Sequence, residues 1–569
     1  MWALAVVSLG GLALRAWNLD YSLPAVYHPD EIPILSRALA FAKGDPSPHN
    51  FLYPSLFFYL LFAWEVLFLA AGWAVGLYQS LADFQAQYFR DPSHVVLAAR
   101  AFTATCGVLT LIAVYRLGRR LATPTHGVIA ALFLSVSPFA IRDAHYIKLD
   151  VPVTMFTTMA LAALAQLVVD AAAASRKRAW VWAGLWAGLA MSTQYYVIFL
   201  AVAIAAVAAA DVGRSGRWQT SVTLLASAAA GTVVGFVAGT PFFFVELGTA
   251  LRDIAGVREV DIDRALAGGG GAFTSLPAYL RMLAIDALGW PVFALSAAGA
   301  IWLAVADWRR ALVLLVFPIA YLIFIAHTVP MSRYVNCILP ALAVLAAYPL
   351  VGLATRLAPG RPMIALAAAA VAAVPALRMS IRAVEFYGQT DTRTQAATFI
   401  DREVAAGASI LIQPYSVPIH RSRESLVEAL RANLGSEQQA SIKFQLELAI
   451  DPPLEPAYRT IYYGDGGSDA DKLYVVPQEF DVAESLEPLR RRRIAYVVLK
   501  RSNTPNPETV RLEAALAREA TRLASFSPYR PDADPQEIAG TPPFVHNSSI
   551  RIDPALERPG PIVDVWRLD

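Results

Sequence analysis

The sequence predicts an α-helical polytopic membrane protein with about eleven transmembrane spans, followed by a soluble α/β domain. Three observations predict it. Of the 569 residues, 56% are hydrophobic and only 16% charged, against about 25% charged in soluble globular chains. Apolar runs long enough to cross a hydrocarbon layer of about 30 Å recur through residues 1–381. Beyond residue 382 charges spread throughout, among short apolar stretches of strand length.

In chain order the spans fall near residues 2–18, 95–115, 125–141, 151–171, 180–194, 196–210, 219–239, 283–305, 311–326, 335–354 and 362–380. The first has no Lys or Arg before it and no small-residue cleavage site after it, so it reads as a retained span. Residues 180–210 divide at Gln194-Tyr195-Tyr196. Under this count the loops bearing Arg116/Arg119/Arg120, Arg176/Lys177/Arg178, Arg214/Arg217, Arg309/Arg310 and Arg356/Arg361 share one side. An excess of Lys and Arg marks cytoplasmic loops. The opposite side receives the loop of residues 19–94, the turn from Arg142 to Asp150, residues 241–277, the turn around Arg333 and the domain of residues 382–569.

Residues 54–77 are apolar enough to be a twelfth span, but crossing there would put Asp30 and Asp150 on opposite faces. The stretch is therefore expected to lie in the membrane interface, which its Phe, Tyr and Trp suit. Residues 30–43 are expected to form a second short helix of that loop. Residues 241–277 end in Gly268-Gly269-Gly270-Gly271, which no regular element would choose because glycine loses most freedom on ordering. The segment reads as a flexible loop, either a lid or a plain linker. In the tail, strands are expected at 409–413, 494–499 and 562–565, with helices at 425–434 and 507–524.

A net charge of +2, with the cations in short clusters, leaves no basic face for nucleic acid. Cys106 and Cys337 both lie in apolar runs and imply neither a disulfide framework nor a thiolate metal site.

An ionisable group at bilayer depth costs roughly 2.5 to 3.5 kcal/mol on insertion scales, so its presence points to a site. Asp30 and Glu31 follow the first span, and Asp150 opens another on the same side. Separate acids facing one space suit acid/base work. The alternative is that Asp30 and Asp150 are helix N-caps. Arg333, Lys148 and Arg142 lie at the same boundary, where a guanidinium can pair with phosphate or merely snorkel to ordinary head groups. His28 and His145 stand near these acids, but no spacing forms a ligand set, so no metal site is expected and a divalent ion lacks support. With Tyr146, Tyr53, Gln194 and Tyr195, the two histidines are candidates for an acceptor contact or the cavity wall.

Several stretches, taken in order, resemble the GT-C class of membrane glycosyltransferases, and within it the family 39 group of protein O-mannosyltransferases and lipid A aminoarabinose transferases. They are Arg15-Ala16-Trp17, His28-Pro29-Asp30-Glu31, Tyr53-Pro54-Ser55-Leu56, Ala99-Arg100-Ala101-Phe102 with Tyr115-Arg116-Leu117-Gly118-Arg119-Arg120, Ser137-Pro138-Phe139 through Lys148-Leu149-Asp150, Ser332-Arg333-Tyr334 with Leu339-Pro340, and Asp391-Thr392-Arg393. The resemblance covers roughly residues 1–400. It implies an inverting enzyme that moves a sugar from a polyprenyl-phosphate carrier to an acceptor, with Asp30 as general base beside Glu31, and Asp150 as the second acid. Arg333, with Lys148, would hold the departing phosphate. Aminoarabinose transferases carry an acidic residue and a Lys before a Pro-Pro-Leu where this chain has Leu52, Tyr53 and Pro54-Ser55-Leu56, and Gln194 replaces a lysine of bacterial relatives. Lipid A specificity is therefore not part of the expectation.

The expected function is glycosyl transfer at the outer face of a bacterial cytoplasmic membrane. The partners are a lipid-linked sugar as co-substrate, membrane lipid, and a glycan, lipid or protein acceptor. Two alternatives stand beside it: a transporter or flippase of a lipid-linked saccharide, which would need a site near the midplane and usually repeat symmetry, and, among enzymes, a protein O-mannosyltransferase.

Overall fold

A computed structural model describes residues 2–169, 173–215, 218–259, 262, 273–434, 436, 440, 442–463, 474–475, 482, 485–501, 507–544, 546 and 550–568. The tetraglycine of the expected loop, residues 268–271, lies outside the described residues.

The apolar runs are helices: α1 (Trp2–Ala16), α2 (Glu31–Leu39), α3 (Leu56–Ala74), α4 (Leu81–Arg90), α5 (Ser93–Leu121), α6 (Pro124–Ser135), α7 (Pro138–Ala144), α8 (Asp150–Val169), α9 (Ala173–Met191), α10 (Leu200–Ser215), α11 (Trp218–Gly239), α12 (Leu247–Arg258), α13 (Leu276–Arg281), α14 (Trp290–Ala306), α15 (Trp308–Ile325), α16 (Leu339–Leu357) and α17 (Pro362–Tyr387). Proline sits in the first turn of α6, α7 and α17, where its missing N–H leaves no hydrogen bond unmade.

Among the described residues seven helices are long and apolar enough to cross a membrane, or nine if each of two bent pairs counts as one. The molecule is a multi-pass membrane protein. The expected eleven are not all reached, because α1 and the helix after Gln194 fall short of eighteen residues and α6 with α7 bends by 62°. Helix α3, expected in the interface, is itself one of the seven.

Helix α8 is the centre of the bundle, with 83% of its apolar window buried. Helices α9 and α11 approach closely through facing small residues: a Cβ at Gly184 would run into the Ala228 carbonyl, and one at Gly188 into that of Thr232. Between membrane helices, where lipid is as apolar as any side chain, this close backbone approach is what drives association. Arg15, buried at the end of α1, donates to the carbonyls of Leu134 and Ser135 at 3.3 and 3.2 Å. It thereby satisfies the C-terminal carbonyls of α6, an end that favours cations.

Helix α17 runs through residue 382 to Tyr387, and α18 (Thr392–Glu403) follows, its first turn capped by Asp391 accepting from the Arg393 N–H at 2.8 Å. The tail then builds a six-stranded sheet from β1 (Ser409–Ile412), β2 (Arg459–Tyr463), β3 (Tyr474–Val475), β4 (Tyr496–Arg501), β5 (Ala520–Phe526) and β6 (Ile562–Leu568), in the order β3-β2-β1-β4-β6-β5. The first four are parallel, and β6 joins β4 and β5 antiparallel. The helix expected to reach residue 524 ends at Glu519, because Ala520–Phe526 pairs with β6. Tertiary pairing overrides a helical pattern when a strand partner is at hand.

The tail rests on the membrane part at several places, among them the following. Arg393 lies over the Tyr27 ring at 3.6 Å while Thr394 shares a hydrogen bond with the Tyr27 hydroxyl at 2.7 Å. Arg551 donates to Asp286 at 2.7 Å, and Arg90 to the carbonyls of Asp451 and Pro452.

Candidate active site

The site is assembled on a buried ion pair. Glu31, the first residue of α2, accepts Arg100 Nε at 2.8 Å and a second guanidinium nitrogen at 2.9 Å, and both side chains are fully buried. The Tyr21 hydroxyl and the Ile147 backbone N–H, at 3.2 and 3.1 Å, supply the other donors to this carboxylate. Arg100 also donates to the Leu19 and Tyr21 carbonyls and lies over the Tyr21 ring at 3.9 Å. A buried charge needs such complete satisfaction. The result locks the first loop onto α5 and onto the turn before α8.

Asp30, one residue earlier, faces the other way. Its side chain makes no capping hydrogen bond, is 36% exposed, and lies 3.6 Å from Arg333. Arg333 comes from the 3₁₀ turn Ser332–Ile338 that leads into α16. Asp150 begins α8, is buried, and accepts the Tyr196 hydroxyl at 3.3 Å. Tyr53 stands in the same field: burial pushes its phenol above the usual range, Arg333 opposes this, and the charges of Asp30 and Asp150 add to it. Asp30, Arg333, Asp150, Tyr53 and Tyr196 therefore form one cluster.

Behind it, Asp143 joins three elements. It accepts from Arg142 at 2.8 Å, lies 3.7 Å from Lys148, and accepts the Asn336 amide. Lys148 also feels Asp150 and Arg333. Arg142 is fully buried against Asp143 and the Phe139 ring, at 4.6 Å from the latter. It is engaged in this inner chain and not in the Asp30–Arg333 pair.

His28 donates nothing to Asp30 but accepts the Asp30 backbone N–H on Nδ1 at 3.1 Å. Burial holds its imidazole well below the usual range, with Lys148, His546, Arg142 and Arg100 adding to the effect. The ring is neutral near pH 7, and with Nδ1 accepting, its proton belongs on Nε2. That Nε2 is buried and has no hydrogen-bond partner among the described residues. The His28 ring packs on Tyr146 at 4.4 Å, and the Tyr146 hydroxyl meets His546 Nδ1 at 3.3 Å. A tail histidine thus closes the back of the cluster.

The remaining sequence candidates sit further out. His145 is a strut, its two ring nitrogens 2.9 and 3.0 Å from the carbonyls of Ile141 and Trp17. Gln194 is buried at the break after α9, where the Leu56 N–H donates to the Ser192 carbonyl and so brings the break beside Tyr53. Tyr195 packs its ring near Phe243 at 6.1 Å.

Four acids, Asp30, Glu31, Asp143 and Asp150, face four cations, Arg100, Arg142, Lys148 and Arg333. These named charges balance, so any anion entering the cluster would compete with a carboxylate for its cation. Arg333 is the one whose partner contact is both long and partly exposed. Among the described residues no group of three or more His, Cys, Asp or Glu comes together as a metal site. Sequence reasoning missed Tyr21, Arg100, Asp143, Asn336, Tyr196 and His546 as members. Arg100, inside an expected span, and Asp143, an acid beside Arg142, carried a usable signal as charges at membrane depth.

Residues 92–238 match the model of the dolichyl-phosphate-mannose-protein mannosyltransferase family. Among curated proteins no sequence match is found. Among solved structures, ArnT from Cupriavidus metallidurans in the apo state superposes with a TM-score of 0.52 at 15% identity, covering 99% of this chain and 97% of that one. The oligosaccharyltransferase AglB from Archaeoglobus fulgidus, in complex with an inhibitory peptide and a dolichol-phosphate, does so with a TM-score of 0.50 at 15% identity, over 87% of this chain and 68% of that one. The chain has the ArnT-like fold of the GT-C glycosyltransferases.

Proposed function

We propose, from the fold shared with ArnT and AglB, that this chain is an inverting glycosyltransferase. It takes a sugar from a polyprenyl-phosphate donor and passes it to an acceptor at the outer face of a bacterial cytoplasmic membrane. The observation that carries the reading is the partly exposed Asp30–Arg333 pair, 3.6 Å apart, beside the buried Asp150. The dolichol-phosphate in the AglB complex supports a lipid phosphate as the donor's leaving group.

In this reading the donor phosphate draws Arg333 from Asp30, with Lys148 adding positive charge behind it. Fixed cations aimed at a departing phosphate stabilise the transition state most where water is excluded. Asp30, freed, accepts the proton of the acceptor hydroxyl as that oxygen bonds to the anomeric carbon. The bond from that carbon to the phosphate oxygen breaks, the electron pair leaves with the phosphate, and the single displacement inverts the centre. Asp150, held by Tyr196, keeps Arg333 within reach. Glu31 acts at one remove, anchoring the start of α2 through Arg100 so that Asp30 is held in place. The neutral Nε2–H of His28 is a donor for the acceptor or the sugar.

A second reading, mannosyl transfer to protein, has the named family match over residues 92–238 in its favour. Product analysis separates the two, since label appears either in peptide or in extractable glycan or lipid.

The direct test is purified Asp30→Asn assayed for transfer from a panel of polyprenyl-phosphate sugars in detergent. A general base contributes about 10² to 10⁴ in rate, so a loss of that size is expected. Turnover equal to the unsubstituted protein would remove Asp30 from the base role.

A further inference from the structure

A cavity lies at the opposite end of the bundle. It has a volume of about 720 Å³ between α5, α8 and α9, and is lined by Arg116, Arg120, Arg178, Gln166, Trp182 and Trp186. Arg116 follows Arg100 on α5 by sixteen residues, and Gln166 follows Asp150 on α8 by sixteen. At 1.5 Å per residue each is about 24 Å from the catalytic end, which is most of a bilayer's hydrocarbon thickness. The cavity therefore opens at the arginine-rich face, which the positive-inside rule expects to be cytoplasmic.

Its lining has two halves. Arg116 and Arg120 are one helical turn apart on α5, and among the described residues neither they nor Arg178 pairs with a carboxylate; Arg120 donates only to the Ala162 carbonyl at 2.7 Å. Three converging cations that pair with no described carboxylate repel one another and attract an anion. The other half is apolar: Trp182 and Trp186 stack at 5.7 Å, and Phe156 continues the stack at 6.0 Å. A soluble anion would have no use for this wall, whereas an anionic head group with its attached chains matches both halves.

We propose that this cavity is a binding site for an anionic phospholipid of the arginine-side leaflet. The phosphate sits among Arg116, Arg120 and Arg178, and the glycerol and first acyl carbons lie along Trp182 and Trp186. The site is independent of the glycosyl-transfer reading.

Native mass spectrometry of the full-length protein tests it, with phosphatidylglycerol and phosphatidylcholine of identical acyl chains offered at equal concentration. The expected result is retention of one phosphatidylglycerol per chain and no matching retention of phosphatidylcholine. Each surface cation attracts an anionic lipid by about 1 kcal/mol, so Arg116→Gln with Arg178→Gln should weaken retention about thirty-fold. Arg356→Gln with Arg361→Gln, which removes the same charge from that face outside the cavity, should leave it unchanged. Equal retention of the two lipids overturns the proposal in the unsubstituted protein alone. So does equal weakening by both double substitutions, which means general surface attraction, or displacement by millimolar inorganic phosphate, which means a soluble-anion site.

Discussion

Glu31→Gln separates anchoring from catalysis at two adjacent carboxylates. The substitution keeps shape and volume but leaves the Arg100 guanidinium, fully buried, without its counter-charge. Two charge-assisted bonds of 2.8 and 2.9 Å are weakened, and the Ile147 N–H and Tyr21 hydroxyl lose an ionic acceptor. Removing one partner of a buried pair costs about 3 to 5 kcal/mol, because the other charge stays buried. For 569 residues, an unfolding entropy of about 2.1 cal/mol/K per residue turns about 4 kcal/mol into a melting shift of about 3 °C. Fluorescence-monitored unfolding in detergent reads this directly from the 12 tryptophans. Arg100→Met alone should cost as much, and the double substitution should recover most of the loss, since it removes both charges together. Asp30→Asn is the contrast. With 36% of its side chain exposed, its pair with Arg333 is worth about 0 to 1 kcal/mol, so that variant should melt with the unsubstituted protein while losing turnover. A Glu31→Gln protein that melts within about 1 °C of the unsubstituted one, yet is as inactive as Asp30→Asn, would refute the division of roles.

Three further outcomes follow from the same geometry. Burial holds both His28 and His546 well below their usual range, so each binds fewer protons folded than unfolded. Their stabilisation is complete above about pH 6.5 and is lost as pH falls, by up to about 1.4 kcal/mol per pH unit per group; melting midpoints should drop between pH 7 and 5.5, and less so in His546→Phe. Arg333→Lys keeps the charge but loses the planar fork, and kcat should fall about tenfold, against about 10² to 10³ for Arg333→Gln; turnover of the Gln variant within twofold of the unsubstituted protein would remove Arg333 from phosphate holding. Gly188→Leu should separate α9 from α11 at a cost of about 1 to 3 kcal/mol or more, whereas Gly248→Ala, which meets open space, should melt unchanged.

The helices were legible because apolar length is a local property, and so was the break at Gln194, which heads the 3₁₀ turn Tyr195–Phe199. The bend between α6 and α7 was not, because residues 125–141 are apolar throughout and were expected as one span. Strands β1, β4 and β6 were placed for the same reason as the helices; β2, β3 and β5 were not, and β5 exists only through its pairing with β6 some forty residues on. Asp30, Asp150 and Arg333 could be assigned to one face from loop charge alone. What a linear reading lacks is pairing. Glu31 finds Arg100 across 69 residues and Ile147 across 116, while Tyr146 finds His546 across 400, and no local pattern records such distances.

That gap explains why Asp30 and Glu31 read as one catalytic unit and fold as two. Residue 30 precedes the first helical residue and residue 31 is the first, so the chain turns between them. One side chain is directed into the bundle against α5 and the other out toward Arg333. Zero exposure on Glu31 and 36% on Asp30 follow from that turn. In the proposed mechanism the buried acid holds the exposed one still, and a base positioned to within a fraction of an ångström is worth far more than a mobile one. Glu31→Asp should therefore retain the charge, shorten the reach to Arg100, and lower kcat while leaving the pH dependence of turnover where Asp30 sets it. A displaced pH profile in that variant would mean that Glu31 itself takes the proton.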